Sequence, residues 1–235
     1  MLERLSIDHP DFRYSESRNP YWTKLREEKL PVYNDGATEA HRGEWRKEFE
    51  TKGLKKLHVE IGCNAGHVVL EWAARDTKSA WIGLDWKFKM IHKGAGKAVK
   101  RKLGNLLFLR GTADRIKYMF APGEVDALYL YFPDPWPKKA QKKNRFLNAQ
   151  RLRDVHSVLA DGGLFHIKTD HADYFAAMEE AINETRDLWN VRERTTDLHA
   201  GNPDAGKLTI PDVTLFERLF IKDGLPIHSV KLFKK

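Results

Sequence analysis

The stretch Leu57-His-Val-Glu-Ile-Gly-Cys-Asn-Ala-Gly66 decides the fold. Leu57, Val59 and Ile61 alternate as a short apolar strand would, and Gly66 to Arg75 reads as a helix. A glycine-flanked turn between a strand and a helix lets the backbone reverse tightly and approach a ligand, with free helix N–H groups beyond it. Taken alone, that turn fits any strand-to-helix connection. Two neighbours add meaning. Glu60 is a charge at the end of an apolar strand, where an acid must be exposed or satisfied. Asp85 closes the next strand nineteen residues beyond Gly66, the usual place of an acid that accepts ribose hydroxyls.

Working outward, strands and helices alternate. Ala80–Leu84, Leu106–Leu109, Val125–Phe132 and Gly163–Lys168 read as strands. Lys87–Lys102, Ala113–Phe120, Asn144–Leu159 and Ala172–Asn183 read as helices. Thr38–Glu50 has helical character, and Trp189–Arg194 and Thr214–Ile221 read as two late strands around a Gly- and Pro-containing loop, His199 to Asp212. This alternation predicts an α/β fold: a mostly parallel sheet with an antiparallel edge and helices on both faces. Residues 1–38 carry Asn19-Pro20, Pro31 and Asn34-Asp-Gly36 and read as an arm; residues 39–235 read as one domain.

The chain has 235 residues, 41 Lys and Arg against 33 Asp and Glu, and a formal charge of +8. That balance points to a polyanionic partner. With Cys63 as the one cysteine, no intrachain disulfide or cysteine-rich zinc site can form, and no metal is expected. No apolar run has the length of a membrane span, and the N-terminus lacks the apolar core of a signal peptide. A cytoplasmic protein is expected; its oligomeric state, monomer or homodimer, is left open.

The loop chemistry selects a cofactor. A dinucleotide turn needs three glycines to seat a pyrophosphate, and here Asn64 holds the middle position beside Glu60. A carboxylate beside a pyrophosphate is electrostatically wrong; beside a sulfonium and an ammonium it is right. S-adenosylmethionine carries both, with a ribose, and fits better than NAD. Asn also tolerates the left-handed backbone that such a turn needs.

Tyr131-Phe-Pro-Asp-Pro-Trp-Pro-Lys-Lys139 ends the Val125–Phe132 strand in three alternating prolines, which cannot donate to a ladder. Asp134 stands there beside Trp136, followed by Lys138, Lys139, Lys142, Lys143 and Arg145. An acid, a ring that can stack a base and a cationic strip suit a nucleotide in RNA, with Lys139, Lys142, Lys143 and Arg145 on the phosphates. Lys87 to Lys102 adds a second basic stretch. Trp136 serves equally as a packing residue, and Asp170, after Lys168-Thr169, equally as a helix N-cap.

Together these motifs resemble the tRNA (guanine-N7-)-methyltransferases of bacteria, the TrmB family, over about residues 55 to 222. The resemblance implies a seven-stranded Rossmann-like class I methyltransferase fold and methyl transfer from S-adenosylmethionine to N7 of a guanine in the tRNA variable loop. It implies cofactor contacts at Glu60, Gly62, Asp85 and Asp134, catalysis by Asp134, and substrate contacts at Lys138, Asp170, Thr214, Leu215, Phe216 and Glu217. An acid common in the family after the third strand is absent from Gly111-Thr-Ala113, so Thr112 is assigned that contact. N7 carries a lone pair and no proton, so Asp134 is expected to orient the guanine and stabilise developing charge, not to act as a base. Two alternatives remain: transfer to an exocyclic amine of RNA, DNA or protein, and a non-catalytic RNA-binding module on the same scaffold.

Overall fold

The computed structural model describes residues 5–50, 52–209 and 213–235. In chain order the elements begin with α1 (Pro20–Glu27), β1 (Val32–Asn34), α2 (Gly36–Ala40) and α3 (Trp45–Glu50). There follow β2 (Lys56–Ile61), α4 (Val69–Arg75), β3 (Ser79–Asp85), α5 (Phe88–Lys100), β4 (Leu106–Arg110) and α6 (Ile116–Met119). The second half holds β5 (Val125–Tyr131), α7 (Ala149–Val158), β6 (Leu159–Thr169), α8 (Ala172–Glu184), β7 (Trp189–Thr195), α9 (Leu215–Lys222) and β8 (His228–Lys234).

Eight strands form one sheet in the order β1-β4-β3-β2-β5-β6-β8-β7. Pairs from β1 through β6 are parallel, and β8 runs antiparallel between β6 and β7. The order reverses between β2 and β5, which leaves a crevice beyond their C-terminal ends. Every residue of β3 is buried, as befits an interior parallel strand covered on both faces. Alternating side chains feed two cores: Ile82 and Leu84 join Trp45, Leu152 and Phe175 on one face, and Trp81 joins Leu25, Ile91 and Phe108 on the other.

Six strands, β2 to β7, lie where strands were expected; β8 (His228–Lys234) and β1 were not read as strands. β1 comes from residues read as an arm: Val32 to Asn34 pair in parallel with Phe108 to Arg110, and Leu25 of α1 is buried. The alternation of Val32 and Tyr33 between the two cores explains the recruitment.

Thr214–Ile221 is not a strand. Thr214 and Glu217 form a reciprocal capping box and start α9, while the last strand is β8. A Thr-x-x-Glu before an apolar run favours a helix start, and that local signal outweighs the alternating polarity. Thr38–Glu50 divides into two short helices around Gly43, which has a φ of 85°. The helix read from Asn144 starts only at Ala149, capped by the Asn148 side chain on the Arg151 N–H; a 3-10 turn occupies Lys139–Asn144.

Candidate active site

The β2 loop is held by backbone partners. Gly62 and Cys63 both donate to the Leu84 carbonyl, at 2.8 and 3.1 Å. Asn64 has a φ of 52°, the left-handed conformation that its position demands. Gly66, with a φ of 70°, abuts the Phe108 ring, where a Cβ would come within 2.9 Å of Cζ. Asp85 ties the loop to the next strand: Oδ2 accepts from Asn64 N at 2.9 Å and Oδ1 from Lys87 N at 2.8 Å. Its remaining lone pairs are free for two neighbouring hydroxyls.

Glu60 is only 6% exposed, and its Oε2 accepts from Val69 N, at the start of α4, at 3.1 Å. Burial pushes its carboxyl up to about 8, against the pull of that hydrogen bond, and the Asp85 charge adds to the rise. A buried acid in this condition gains most from a cationic ligand, which restores the carboxylate.

Beyond β5 the chain turns sharply. Phe132 and Trp136 have φ of 52° and 43°, a rare conformation for aromatic residues, each costing on the order of 1–3 kcal/mol. Asp134 lies exposed between them. The turn is clamped from outside. Arg145 Nε donates to the Pro135 carbonyl at 2.8 Å, and Nη2 reaches Asp173 Oδ2 at 2.6 Å. The guanidinium also lies 4.7 Å from the centre of the buried Tyr174 ring. Hydrogen bonds from Arg145 and then Lys142 pull the Asp173 carboxyl down to about 2.

These parts enclose one cleft of about 770 Å³. Its floor is four strand ends. Gly111 to Asp114 follow β4, Asp85 to Lys87 end β3, Glu60 to Asn64 end β2, and Tyr131 to Asp134 end β5. Adjacent strands lie about 4.8 Å apart, so four carboxylates, Asp114, Asp85, Glu60 and Asp134, are spread over roughly 14 Å. Thr214, Leu215, Phe216 and Leu219 contribute a further wall from the start of α9.

Of the residues singled out in the sequence, Glu60, Gly62, Asp85, Thr112, Asp134, Thr214, Leu215 and Phe216 line this cleft. Lys138, Asp170 and Glu217 are not among its lining residues. Lys138 is exposed just before the 3-10 turn. Asp170 is exposed too, and the N-cap it was offered for is made by the His171 ring, which accepts from Tyr174 N at 3.2 Å. Glu217 is fully buried. Oε1 accepts from Lys168 Nζ at 2.8 Å and Oε2 from Thr214 N at 2.7 Å. It ties α9 to β6.

The cationic strip divides as well. Arg145 is 8% exposed and engaged as described, and Lys142 is paired with Asp173, so neither is a free phosphate ligand here. Lys139 and Lys143 are exposed. Trp86, 59% exposed at the end of β3, and Asp114 were missed. Asp114 was signalled by its place two residues beyond Thr112, whose hydroxyl donates to its Oδ2 at 2.7 Å. Among the described residues, no group of three or more His, Cys, Asp and Glu is arranged to hold a metal, and no helix is long and apolar enough to cross a membrane.

Comparison with known proteins agrees with this geometry. Residues 54–229 match the family model described as "Putative methyltransferase". A tRNA (guanine-N(7)-)-methyltransferase of Lachnoclostridium phytofermentans is 31% identical over 84% of this chain and 88% of its own. The enzyme of the same description from Bdellovibrio bacteriovorus is 30% identical over 83% and 90%. Among solved structures, the 16S rRNA methyltransferase KamB superposes with a TM-score of 0.59 at 14% identity, covering 83% of this chain and 94% of its own. That likeness concerns the fold alone.

Proposed function

Since the chain belongs to the family of tRNA (guanine-N7-)-methyltransferases, we propose that it methylates N7 of a guanine in tRNA, in the variable loop, within the cytoplasm. S-adenosylmethionine supplies the methyl group. The observation that carries the reading is Asp134, which lies in one cleft with the Gly62 loop and Asp85, at the point where strand order reverses.

Three of the four carboxylates follow the order of groups in such a ligand. Asp85 would hold the ribose, Glu60 lies where a cationic amino acid moiety is favoured, and Asp134 stands where cofactor and base meet. The residues fit the ligand on chemistry: a buried acid on the protonated side of neutrality wants a cation, and Asp85 keeps acceptor capacity beside two backbone N–H groups.

N7 attacks through its lone pair, so no proton has to leave. The protein's task is alignment and a suitable field. The methylated base is cationic, and the Asp134 carboxylate favours it. Phe132 and Trp136, held in strained backbone, shape the turn that carries Asp134. Phe216, 55% exposed and 6.0 Å from the Phe132 ring, offers an apolar face to an entering base. Lys138 is assigned to the substrate, Lys139 and Lys143 to the phosphates, and Asp170 to the guanine.

Unmodified tRNA incubated with the protein and labelled cofactor, then digested to nucleosides, should yield labelled 7-methylguanosine. Label on an exocyclic amine instead would replace this reading with the amine-transferring alternative, and absence of cofactor binding would favour the non-catalytic module.

A further inference from the structure

Helix α5 carries two glycines, and packing explains one of them. Gly94 is buried against Phe108, where a Cβ would come within 2.7 Å of the ring. Gly96 lies inside the same helix with open space where its Cβ would stand, and nothing within 4 Å. A glycine in a helix interior costs stability relative to alanine. No neighbour requires it here, and its φ is not positive, so the backbone does not require it either. The remaining use of a missing side chain is the close approach of another molecule to the main chain.

Gly96 lines an open groove of about 540 Å³ between α5 and the turn that leads into α4. Lys93, Lys97 and Lys100 line it too, at helical spacing, so neighbouring side chains leave the helix about 5–6 Å apart. All three are exposed. Among the described residues no carboxylate lines the groove, and none lies within ion-pair distance of these lysines. Arg101, next along the chain, is by contrast paired with Glu71. Lys97 Nζ donates to the Ala65 carbonyl at 3.5 Å, beside the Asn64 turn. Asn64 and His67 line both this groove and the cleft, so the two are continuous.

We propose that this groove binds the sugar-phosphate backbone of the tRNA, outside the nucleotide that is methylated. The inference rests on the tRNA methyltransferase reading. The cleft carries Asp134, Asp85 and Asp114, which repel a polyanion, so phosphates are held best to either side of it. Lys139 and Lys143 stand beyond β5, and Lys93, Lys97 and Lys100 stand on the β2–β3 side. A lysine is a point charge on a flexible stem and suits a backbone of varying shape. Gly96 lets that backbone come against the helix, where a side chain would hold it off. No Phe, Tyr or Trp lines the groove, so it offers charge and shape and does not read sequence.

The test uses the full chain and unmodified tRNA. Gly96→Gln keeps the charge, favours the helix and fills the groove. It should raise the melting temperature by about 2 °C, weaken tRNA binding about fivefold or more in a filter assay and leave S-adenosylhomocysteine affinity unchanged in calorimetry. Lys93→Ala combined with Lys100→Ala should lower the salt slope of tRNA binding by about 1.4–1.8, raise KM and leave kcat near the wild-type value. A purely structural role for these residues would move stability and leave the slope alone. Wild-type tRNA affinity in Gly96→Gln, or an unchanged slope in the lysine double variant, would overturn the groove alone, because the wild type would still form 7-methylguanosine. If the wild type labels an exocyclic amine while these variants lose tRNA affinity, the position of transfer is overturned and the groove stands. Failure of the wild type to bind tRNA would overturn the groove and the substrate reading together.

Discussion

The two halves of the cleft are held by different means. On the β2–β3 side, charged groups lean on backbone: Asp85 takes the N–H groups of Asn64 and Lys87, and Glu60 takes that of Val69. On the β5–α9 side, side chains hold side chains: Arg145 with Asp173, Lys168 with Glu217. There too the backbone carries positive φ at Phe132 and Trp136. The first arrangement presents a fixed set of groups to a small ligand of constant shape. The second holds a strained turn and an exposed apolar helix start in place through distant ion pairs, as a site for a large and variable partner requires.

Breaking the comparison at its centre gives the largest effect. Asp134→Ala should lower single-turnover methyl transfer by about 10²–10³-fold while tRNA binding in a filter assay stays nearly unchanged. Wild-type turnover in that variant would remove Asp134 from its assigned role.

The next largest concerns the buried acid opposite. Glu60→Gln should weaken S-adenosylhomocysteine binding by on the order of tenfold, about 1.4 kcal/mol, measured by calorimetry. Wild-type affinity should rise as pH is raised through about 8, because the carboxylate must ionise to meet the cation, and the variant should lose that rise. Stability runs the other way. The folded protein keeps the Glu60 proton up to about 8, whereas the unfolded chain releases it near 4.5, so ligand-free stability falls as pH climbs through that window. Thermal melts of Glu60→Gln from pH 5 to 9 should show a shallower fall.

The two kinds of cation can be separated by salt. Lys139→Ala and Lys143→Ala should each reduce the salt slope of tRNA binding by about 0.7–0.9. Arg145→Ala should leave that slope near the wild-type value and instead depress turnover and melting temperature, since it releases the Pro135 carbonyl and Asp173. A slope change in Arg145→Ala equal to that of Lys139→Ala would return Arg145 to the phosphates. Thr214→Ala should be the mildest, with a loss of about 1 kcal/mol from the cap of α9 in denaturant titration.

Much of the first half of the cleft was legible in advance. Glu60, Gly62, Asn64 and Asp85 are read from one strand–turn–helix unit, because their partners lie within about twenty-five residues and are mostly main-chain atoms. The reading failed where partners are remote. Arg145 looked like a member of a cationic run, and only Asp173, twenty-eight residues away, reveals it as a clamp. Glu217 was expected to touch the substrate, and Lys168, forty-nine residues away, pairs with it instead. The helix α9 is a different case: the Thr214–Glu217 capping pair marks its start locally, against the alternating polarity of the same residues.

Alternation of apolar runs, the positive-φ turn at Asn64 and the acids at strand ends follow from local chemistry, so residue order alone settles the α/β class and where the crevice opens. Which charges stay free is a matter of tertiary contact. Burial and ion pairing depend on groups that the chain brings together from far apart. Folding thus withdraws Arg145 and Glu217 into support, draws residues 7–34 onto the β4 edge and leaves Asp114 in the cleft.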